Sequence, residues 1–303
     1  MKRKDISIVI VTYNVRKLLI DCLESIKNSN DTLSKEIFVV DNGDDDTYTY
    51  FENKKEYIYI KNKENLGFSK ANNIALKKAT GRYLLILNPD TKLKKNTLSI
   101  MYNFMQENKD IGLSTCPLYL PDKSLDKACR RNFPTIKSAL GKIFFLSRIS
   151  TKFEGYNINI DNRTQTDIDA CSGAFMFARS EIFKGDKHHK KVSFFDEDFW
   201  AMGEDLDLCY RIKKSGWRIT FYPKTSILHY KGASGGLKKS SRKLSSADMK
   251  TKRKWLKAYS DAMYIFYKKH YLKKHSKFTN FTVVIGIQIY YILKISKLVI
   301  TKK

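Results

Sequence analysis

The side chains able to do chemistry sit in short clusters at the ends of apolar runs. Tyr83-Leu84-Leu85-Ile86 leads into Leu87-Asn88-Pro89-Asp90-Thr91, so a buried strand ends by presenting an amide and a carboxylate. Two other runs end alike: Ile6 to Val11 delivers Thr12 and Asn14, and Glu36 to Val40 delivers Asp41 and Asn42. Asp196-Glu197-Asp198 and Glu204-Asp205-Leu206-Asp207 form the densest group of acids in a strongly basic chain. Carboxylates and amides gathered in one place can hold a polar ligand or accept a proton. Each group taken singly also has a plain structural reading. Loops are polar, proline after a strand makes a turn, and acids in a helix's first turn suit its dipole. Three strand ends acting together are what argue for a site.

The elements needed to position these groups are legible. Ile6-Ser7-Ile8-Val9-Ile10-Val11 is a near-continuous β-branched run, suited to a parallel strand covered on both faces. Asn14 is expected to cap a helix in which Leu18, Leu19, Cys22, Leu23 and Ile26 recur at helical spacing. Further strands are predicted over Glu36 to Val40, Tyr57 to Ile60, Tyr83 to Leu87 and Asp169 to Phe177. Helices are predicted from Ser69 to Ala79, closed by Gly81, and from Glu204 to Ser215, with Lys213 and Lys214 in the last turn and Gly216 beyond. Alternating β and α elements predict an α/β fold with an open, mostly parallel sheet. Ligands in such sheets bind outside the carboxyl ends of the strands, where helix N-termini aim their amides.

With 303 residues and 42% hydrophobic content, the chain can bury a substantial core. Its five cysteines are scattered and include no Cys-x-x-Cys pair, which argues against a disulfide framework or zinc site and fits a reducing, cytoplasmic compartment. Met1-Lys2-Arg3-Lys4 begins like a signal peptide, but the next apolar run holds Ser7 and Thr12 and lacks a small-residue cleavage site, so a strand is expected there. The net charge is +26. Half of it falls between Lys231 and Lys277, where 15 Lys or Arg face two Asp. Nucleic acid, an anionic membrane surface or a phosphorylated ligand could each meet such a patch, and so could solvent alone.

Seven motifs in order resemble one family. They are Val11-Thr12-Tyr13-Asn14, Val39-Val40-Asp41-Asn42, Glu64-Asn65-Leu66-Gly67-Phe68 with Ala71-Asn72-Asn73, Leu87-Asn88-Pro89-Asp90-Thr91, Ser172-Gly173-Ala174, Gly203-Glu204-Asp205-Leu206-Asp207-Leu208-Cys209-Tyr210-Arg211, and His229 followed by Gly232 and Ser234. Together they resemble the family 2 glycosyltransferases of GT-A fold, especially the bacterial rhamnosyltransferase-like branch. The resemblance covers roughly residues 5 to 235. It implies a catalytic domain over 1–235 and leaves 236–303 as a basic, helical C-terminal extension.

The resemblance implies that Thr12, Asn14 and Asp41 hold a nucleotide, and that Asn65 to Asn73, including Gly67, line the donor pocket. Asp90 would be the last member of the family's Asp-x-Asp motif and bind a divalent metal, Mg²⁺ or Mn²⁺, that bridges the donor diphosphate. Asn88 stands where the fullest motif has its first Asp, and brings no charge. His229 matches a further metal or diphosphate ligand, and the Gly232 to Gly236 loop after it reads as a lid. Asp205, beside Glu204, matches the base that deprotonates the acceptor hydroxyl, with inversion of configuration. Asn65, Arg130, Arg131 and Ser172 are expected near the sugar. The donor would be a UDP-, dTDP- or GDP-sugar, the Leu-Asn-Pro-Asp-Thr form favouring dTDP-rhamnose. The acceptor would be a glycan, often lipid-linked, of a surface polysaccharide or lipopolysaccharide precursor.

From Ser246 to Tyr271, Trp255, Tyr259, Met263 and Phe266 share one helical stripe, expected to pack on the catalytic domain. Phe281 to Leu293 is uncharged, but 13 helical residues reach only about 20 Å, short of a bilayer. An amphipathic segment at an anionic membrane surface, with Lys294 and Lys297 snorkelling, is therefore expected, which makes the protein peripheral at the inner face of the cytoplasmic membrane. A buried C-terminal element is the alternative. Other readings are a nucleotide-sugar-binding protein without turnover, a nucleotidyltransferase, and a nucleic-acid-binding protein. The nucleotidyltransferase reading lacks its glycine-rich basic loop; the nucleic-acid reading lacks a binding motif, and the acids around Glu204 would repel phosphate.

Overall fold

The computed structural model describes residues 3–135, 138, 161–185, 187–232 and 248–300. In chain order its elements are β1 (Ile6–Thr12), α1 (Arg16–Lys27), β2 (Lys35–Asp41), α2 (Thr47–Phe51), β3 (Tyr57–Lys61), α3 (Phe68–Leu76), β4 (Tyr83–Leu87), β5 (Thr91–Leu93) and α4 (Thr97–Glu107). Then follow β6 (Ile111–Thr115), β7 (Leu118–Tyr119), β8 (Thr166–Asp167), β9 (Phe175–Arg179), α5 (Glu204–Lys214), β10 (Arg218–Phe221), β11 (Ile227–His229), α6 (Met249–His270) and α7 (Lys277–Ile300).

Eight strands form one sheet in the order β3-β2-β1-β4-β9-β6-β10-β8. Strands β1 to β4 are mutually parallel, and the two with near-continuous apolar runs, β1 and β4, are buried at every residue, as strands covered on both faces should be. Helices cover the sheet, and Leu19, Cys22, Leu23 and Ile26 of α1 lie in the core as their spacing predicts. This is the expected α/β architecture.

Several local expectations are corrected. Asn14 does not cap α1. It adopts φ +53°, a left-handed conformation that asparagine tolerates, and Val15 takes the cap position. The Asn14 side chain instead grips the loop after β2, donating to Asp44 Oδ1 at 2.6 Å and accepting from the Asp44 N–H at 2.9 Å. Helix α3 ends at Leu76, short of Ala79, where the Lys78 N–H turns back to the Ala75 carbonyl. The strand expected from Asp169 starts only at Phe175, because the Gly173 N–H leaves the ladder for the Asp205 carboxylate. That strand, β9, runs antiparallel between β4 and β6.

A second sheet, β5-β11-β7, stands beside the first. Its antiparallel register pairs His229 with Thr91, and the Tyr230 N–H donates to the Asp90 carbonyl at 2.9 Å. The strand end that carries Asp90 is thereby stitched to the strand that carries His229.

The C-terminal helices differ most from expectation. The aromatic stripe of α6 divides its contacts: Phe266 packs with Phe199 and Tyr210, Trp255 meets Trp200, and Tyr259 meets Tyr290 of α7. Lys294 and Lys297 do not interrupt α7. It continues for 24 residues, about 36 Å, and is apolar rather than basic, long and apolar enough by length and composition to cross a membrane. Its length therefore does not exclude spanning, contrary to the 13-residue expectation. Of the lid expected at Gly232 to Gly236, residues 233–236 lie outside the described residues.

Candidate active site

The ends of β2, β1 and β4 lie side by side and carry the predicted polar residues. Thr12 and Asp41 are register partners, and the Asn42 N–H donates to the Thr12 carbonyl at 2.9 Å. Asp41 is fully buried; its Oδ1 accepts from the Gly43 N–H at 2.8 Å, and its Oδ2 accepts from the Tyr59 hydroxyl and from Lys61 Nζ at 2.9 Å. Burial, reinforced by that carboxylate, pushes the Tyr59 phenol above its ordinary range. The Thr12 hydroxyl is buried with no partner among the described residues, a polar atom left for something else to satisfy.

The Asn65 to Asn73 segment is held mainly by the loop ahead of α5. Asn65 Oδ1 accepts from the Gly67 N–H at 3.0 Å, and the Asn42 side chain donates to the Gly67 carbonyl at 3.1 Å. Gly67 has φ +82°, and the Phe68 N–H donates to the Trp200 carbonyl at 2.7 Å. Asn73 is a clamp: its amide donates to the Phe195 carbonyl and to Glu197 Oε1, and its oxygen accepts from the Phe195 N–H.

Beside β4, His229 is sandwiched between two acids. Its Nε2 lies 3.4 Å from Asp90 Oδ1, and its Nδ1 lies 3.0 Å from Asp126 Oδ2; Asp126 also pairs with Lys231. Burial works against the imidazolium, yet Asp90 and Asp126 outweigh it and push the His229 pKa up to about 9. Burial likewise opposes the Asp126 anion, but His229 and Lys231 hold it well below the usual carboxylate range.

At the N-terminus of α5, Asp205 Oδ2 pairs with Arg131 at 2.7 Å and accepts from the Gly173 N–H at 3.0 Å. Glu204 is buried, and its Oε2 has no hydrogen-bond partner among the described residues. Burial, aided by the Asp205 charge, pushes the Glu204 pKa up to about 8, so it carries its proton at neutral pH. Asp207 is structural, bonded to Arg211 Nε and His270 Nε2, each at 2.7 Å. One tripeptide joins the two halves of the site. The Ala174 carbonyl accepts from the Asn88 N–H at 3.1 Å while Gly173 donates to Asp205; Ser172 caps the turn by accepting from the Ala174 N–H at 3.3 Å.

Tyr59, Lys61, Asp126 and Lys231 were not anticipated, and Arg131 turns out to be the partner of Asp205. A sequence signal existed for one of them: Lys61 ends β3 opposite Asp41, an opposite charge at the same register of the next strand. Asp126 lies in an ordinary polar turn with nothing to distinguish it. Among the described residues, no group of three or more His, Cys, Asp or Glu forms a metal cage. Asp90 and, once a cation displaces the proton from its Nε2, His229 can offer two ligands, a set that fits a cation completed by phosphate oxygens and water. A cavity of about 400 Å³ lies not over Asp90 but between the Asp198–Trp200 loop and α6, lined by Trp200, Lys254, Lys257, Asp261 and Tyr264.

The sequence pattern of the family described as Glycosyl transferase family 2 matches residues 7–185. The chain belongs to that family. Rhamnosyltransferase WbbL of Escherichia coli (strain K12) is 31% identical over 172 residues, which are 54% of this chain and 61% of WbbL. The minor teichoic acid biosynthesis protein GgaB of Bacillus subtilis (strain 168) is 32% identical over 127 residues, 39% of this chain and 14% of GgaB. The match thus spans less than two thirds of each relative. Among solved structures, S. aureus TarS 1–349 aligns with TM-score 0.54 at 16% identity, covering 96% of this chain and 80% of that one. The mannosyltransferase PcManGT from Pyrobaculum calidifontis, solved with GDP-Man and Mn²⁺, aligns with TM-score 0.56 at 15% identity, covering 96% and 70%. These likenesses show the GT-A fold.

Proposed function

We propose that the chain moves a sugar from a nucleotide-sugar donor to a hydroxyl of a glycan acceptor, with inversion at the anomeric carbon. The observation that carries this reading is the Ser172-Gly173-Ala174 bridge, which ties the Asp205 carboxylate to the strand end bearing Asn88 and Asp90. A base and a diphosphate-facing carboxylate are what the reaction needs on one rim.

The open Thr12 hydroxyl and the buried Asp41, next to Asn14, suit the base and ribose of a nucleotide. Asn65, Gly67 and Ser172 shape the turns around the sugar, with Asn73 fixing the loop behind them. Asp90 and His229 would hold a divalent cation, Mg²⁺ or Mn²⁺, whose charge neutralises the departing diphosphate. Asn88 contributes no charge to that set. Asp205 takes the acceptor's proton, the freed oxygen bonds to the anomeric carbon, and the bond from that carbon to the diphosphate breaks. Glu204, carrying its proton, keeps a second negative charge away from the base. The cavity beside Trp200 is the natural acceptor side, since Gly203, just ahead of Glu204 and Asp205, packs against Phe199 and Ala262 on its wall.

The similarity to WbbL supports a rhamnosyl donor, and that to GgaB supports an acceptor in a cell-envelope polymer; dTDP as the nucleotide and a lipid-linked acceptor at the cytoplasmic face rest on the motif resemblance and belong to this proposal. A second reading, donor binding without turnover, draws on the engagement of Asp205 Oδ2 by both Arg131 and Gly173. Thermal shifts with UDP-, dTDP- and GDP-sugars, with and without Mn²⁺, combined with donor hydrolysis, test both. Stabilisation plus hydrolysis is expected; stabilisation alone favours the second reading, and neither response rejects the nucleotide-sugar site.

A further inference from the structure

Among the described residues, the exposed apolar surface is concentrated on one helix. Of the twelve large hydrophobic side chains exposed among the described residues, eight belong to α7. Phe278, Phe281, Ile285, Ile289, Ile292 and Val299 recur at helical spacing and form one stripe, with Phe278 at 77% and Phe281 at 63% exposure. Val283, Gly286, Ile287 and Tyr290 form the opposite face and are buried. That face lies on α6: Val283 and Ile287 cluster with Tyr267 and Met263, Tyr290 meets Tyr259, and the Tyr267 hydroxyl donates to Asn280 Oδ1 at 2.6 Å. Helix α7 thus folds back along α6, and α6 in turn rests through Phe266 on Phe199.

The charge pattern names what the stripe faces. No charged residue interrupts it, and Lys294 and Lys297 fall on the other side of the helix, in line with Tyr290. Residues 262–303 contain nine lysines and no Asp or Glu. An apolar face on an acid-free, lysine-rich segment matches a surface that is apolar within and anionic at its rim. Spanning is disfavoured by the same contacts. Helix α6 carries Lys250, Lys252, Arg253, Lys254 and Lys257, and α7 could enter hydrocarbon crosswise only by leaving α6 or by dragging those charges with it.

We propose that the outer stripe of α7 docks this protein flat on an anionic phospholipid surface, apolar face inward, with the catalytic unit held above it on α6. The proposal depends on the glycosyltransferase reading only for its purpose, which is to hold the acceptor cavity beside α6 near lipid-linked substrates; the binding itself is independent of any donor.

The test is flotation of the full chain with phosphatidylcholine vesicles, with and without phosphatidylglycerol, next to an Ile285→Asp/Ile289→Asp variant. Both substitutions sit on the exposed stripe and leave the α6 contacts intact. The wild type is expected to float with the phosphatidylglycerol vesicles, to be released by salt or alkaline carbonate, and to lose about tenfold or more of its vesicle partitioning in the variant. Hydrolysis of a soluble donor by the variant should equal that of the wild type. No flotation, equal flotation with neutral vesicles, or equal flotation of the variant overturns the proposal. Carbonate-resistant wild type overturns it in favour of a spanning helix. A dimer that the variant dissolves, without vesicle binding, overturns it in favour of a second copy of this chain. Loss of donor hydrolysis in both proteins would count against the function above and leave the lipid result standing.

Discussion

His229 Nδ1 faces Asp126 Oδ2 at 3.0 Å, while the opposite ring nitrogen faces Asp90 at 3.4 Å. A buried carboxylate behind an imidazole fixes the ring's orientation and strengthens it as a ligand. Asp126 is itself held by Lys231 and by the Ala128 N–H, which donates at 3.0 Å, so the whole arrangement is rigid.

Asp126→Asn should therefore weaken metal binding without touching the metal. The expected loss is about 10- to 100-fold in Mn²⁺ affinity, read by calorimetry or by the spectrum of free Mn²⁺, with the fold verified by circular dichroism. An affinity equal to wild type would remove Asp126 from this role, and no measurable Mn²⁺ binding by the wild type would remove the metal itself.

Asp205→Asn should separate chemistry from binding. A positioned base contributes about 10² to 10⁴ in rate, so turnover should fall by that range while donor affinity changes little. The substitution also strands the Arg131 guanidinium. Both side chains keep some exposure, so a stability loss of roughly 3 kcal/mol or less is expected. Assays should therefore run well below the variant's melting temperature. Wild-type turnover by Asp205→Asn would show that another group accepts the proton.

Glu204 makes a pH prediction whose sign follows from its direction of shift. Its pKa rises from 4.5 to about 8 in the folded chain, so between those values the native state binds more proton than the unfolded one. Stability must then fall as pH rises through that window, by up to about 1.4 kcal/mol per pH unit, and level off above it. Glu204→Gln keeps the neutral shape and should flatten this dependence, melting higher than wild type at alkaline pH. Parallel slopes of melting temperature against pH for the two proteins would contradict the assignment.

How much of this was readable beforehand varies with the range of the interaction. The strands β1 to β4 and the polar residues at their ends were legible because apolar runs and turn residues are local signals. Asp205 and Asp90 were legible as motif positions. Their partners were not: Arg131 lies 74 positions before Asp205, Asp126 lies 103 before His229, and only the folded sheets bring them together. Asn14 misled because asparagine serves equally as a helix cap and as a left-handed residue. Helix α7 outruns the uncharged stretch because Lys294 and Lys297 share one face, and a helix with a polar side tolerates them there.

The closest packing around the site predicts the last outcome. A Cβ on Gly67 would come within 2.2 Å of the Trp200 carbonyl and 2.6 Å of its indole, and the backbone there has φ +82°. The Trp200 carbonyl also receives the Phe68 N–H, so it cannot retreat without losing that bond. Gly67→Ala must therefore shift the Asp198–Trp200 loop, at a cost of about 1–3 kcal/mol for the forced conformation alone. Because this loop forms one wall of the 400 Å³ cavity and leads into Glu204 and Asp205, turnover should fall together with stability. Denaturant unfolding and donor hydrolysis measured on the same preparation check both halves. A Gly67→Ala protein as stable and active as wild type would mean that the segment and the loop are not packed as described.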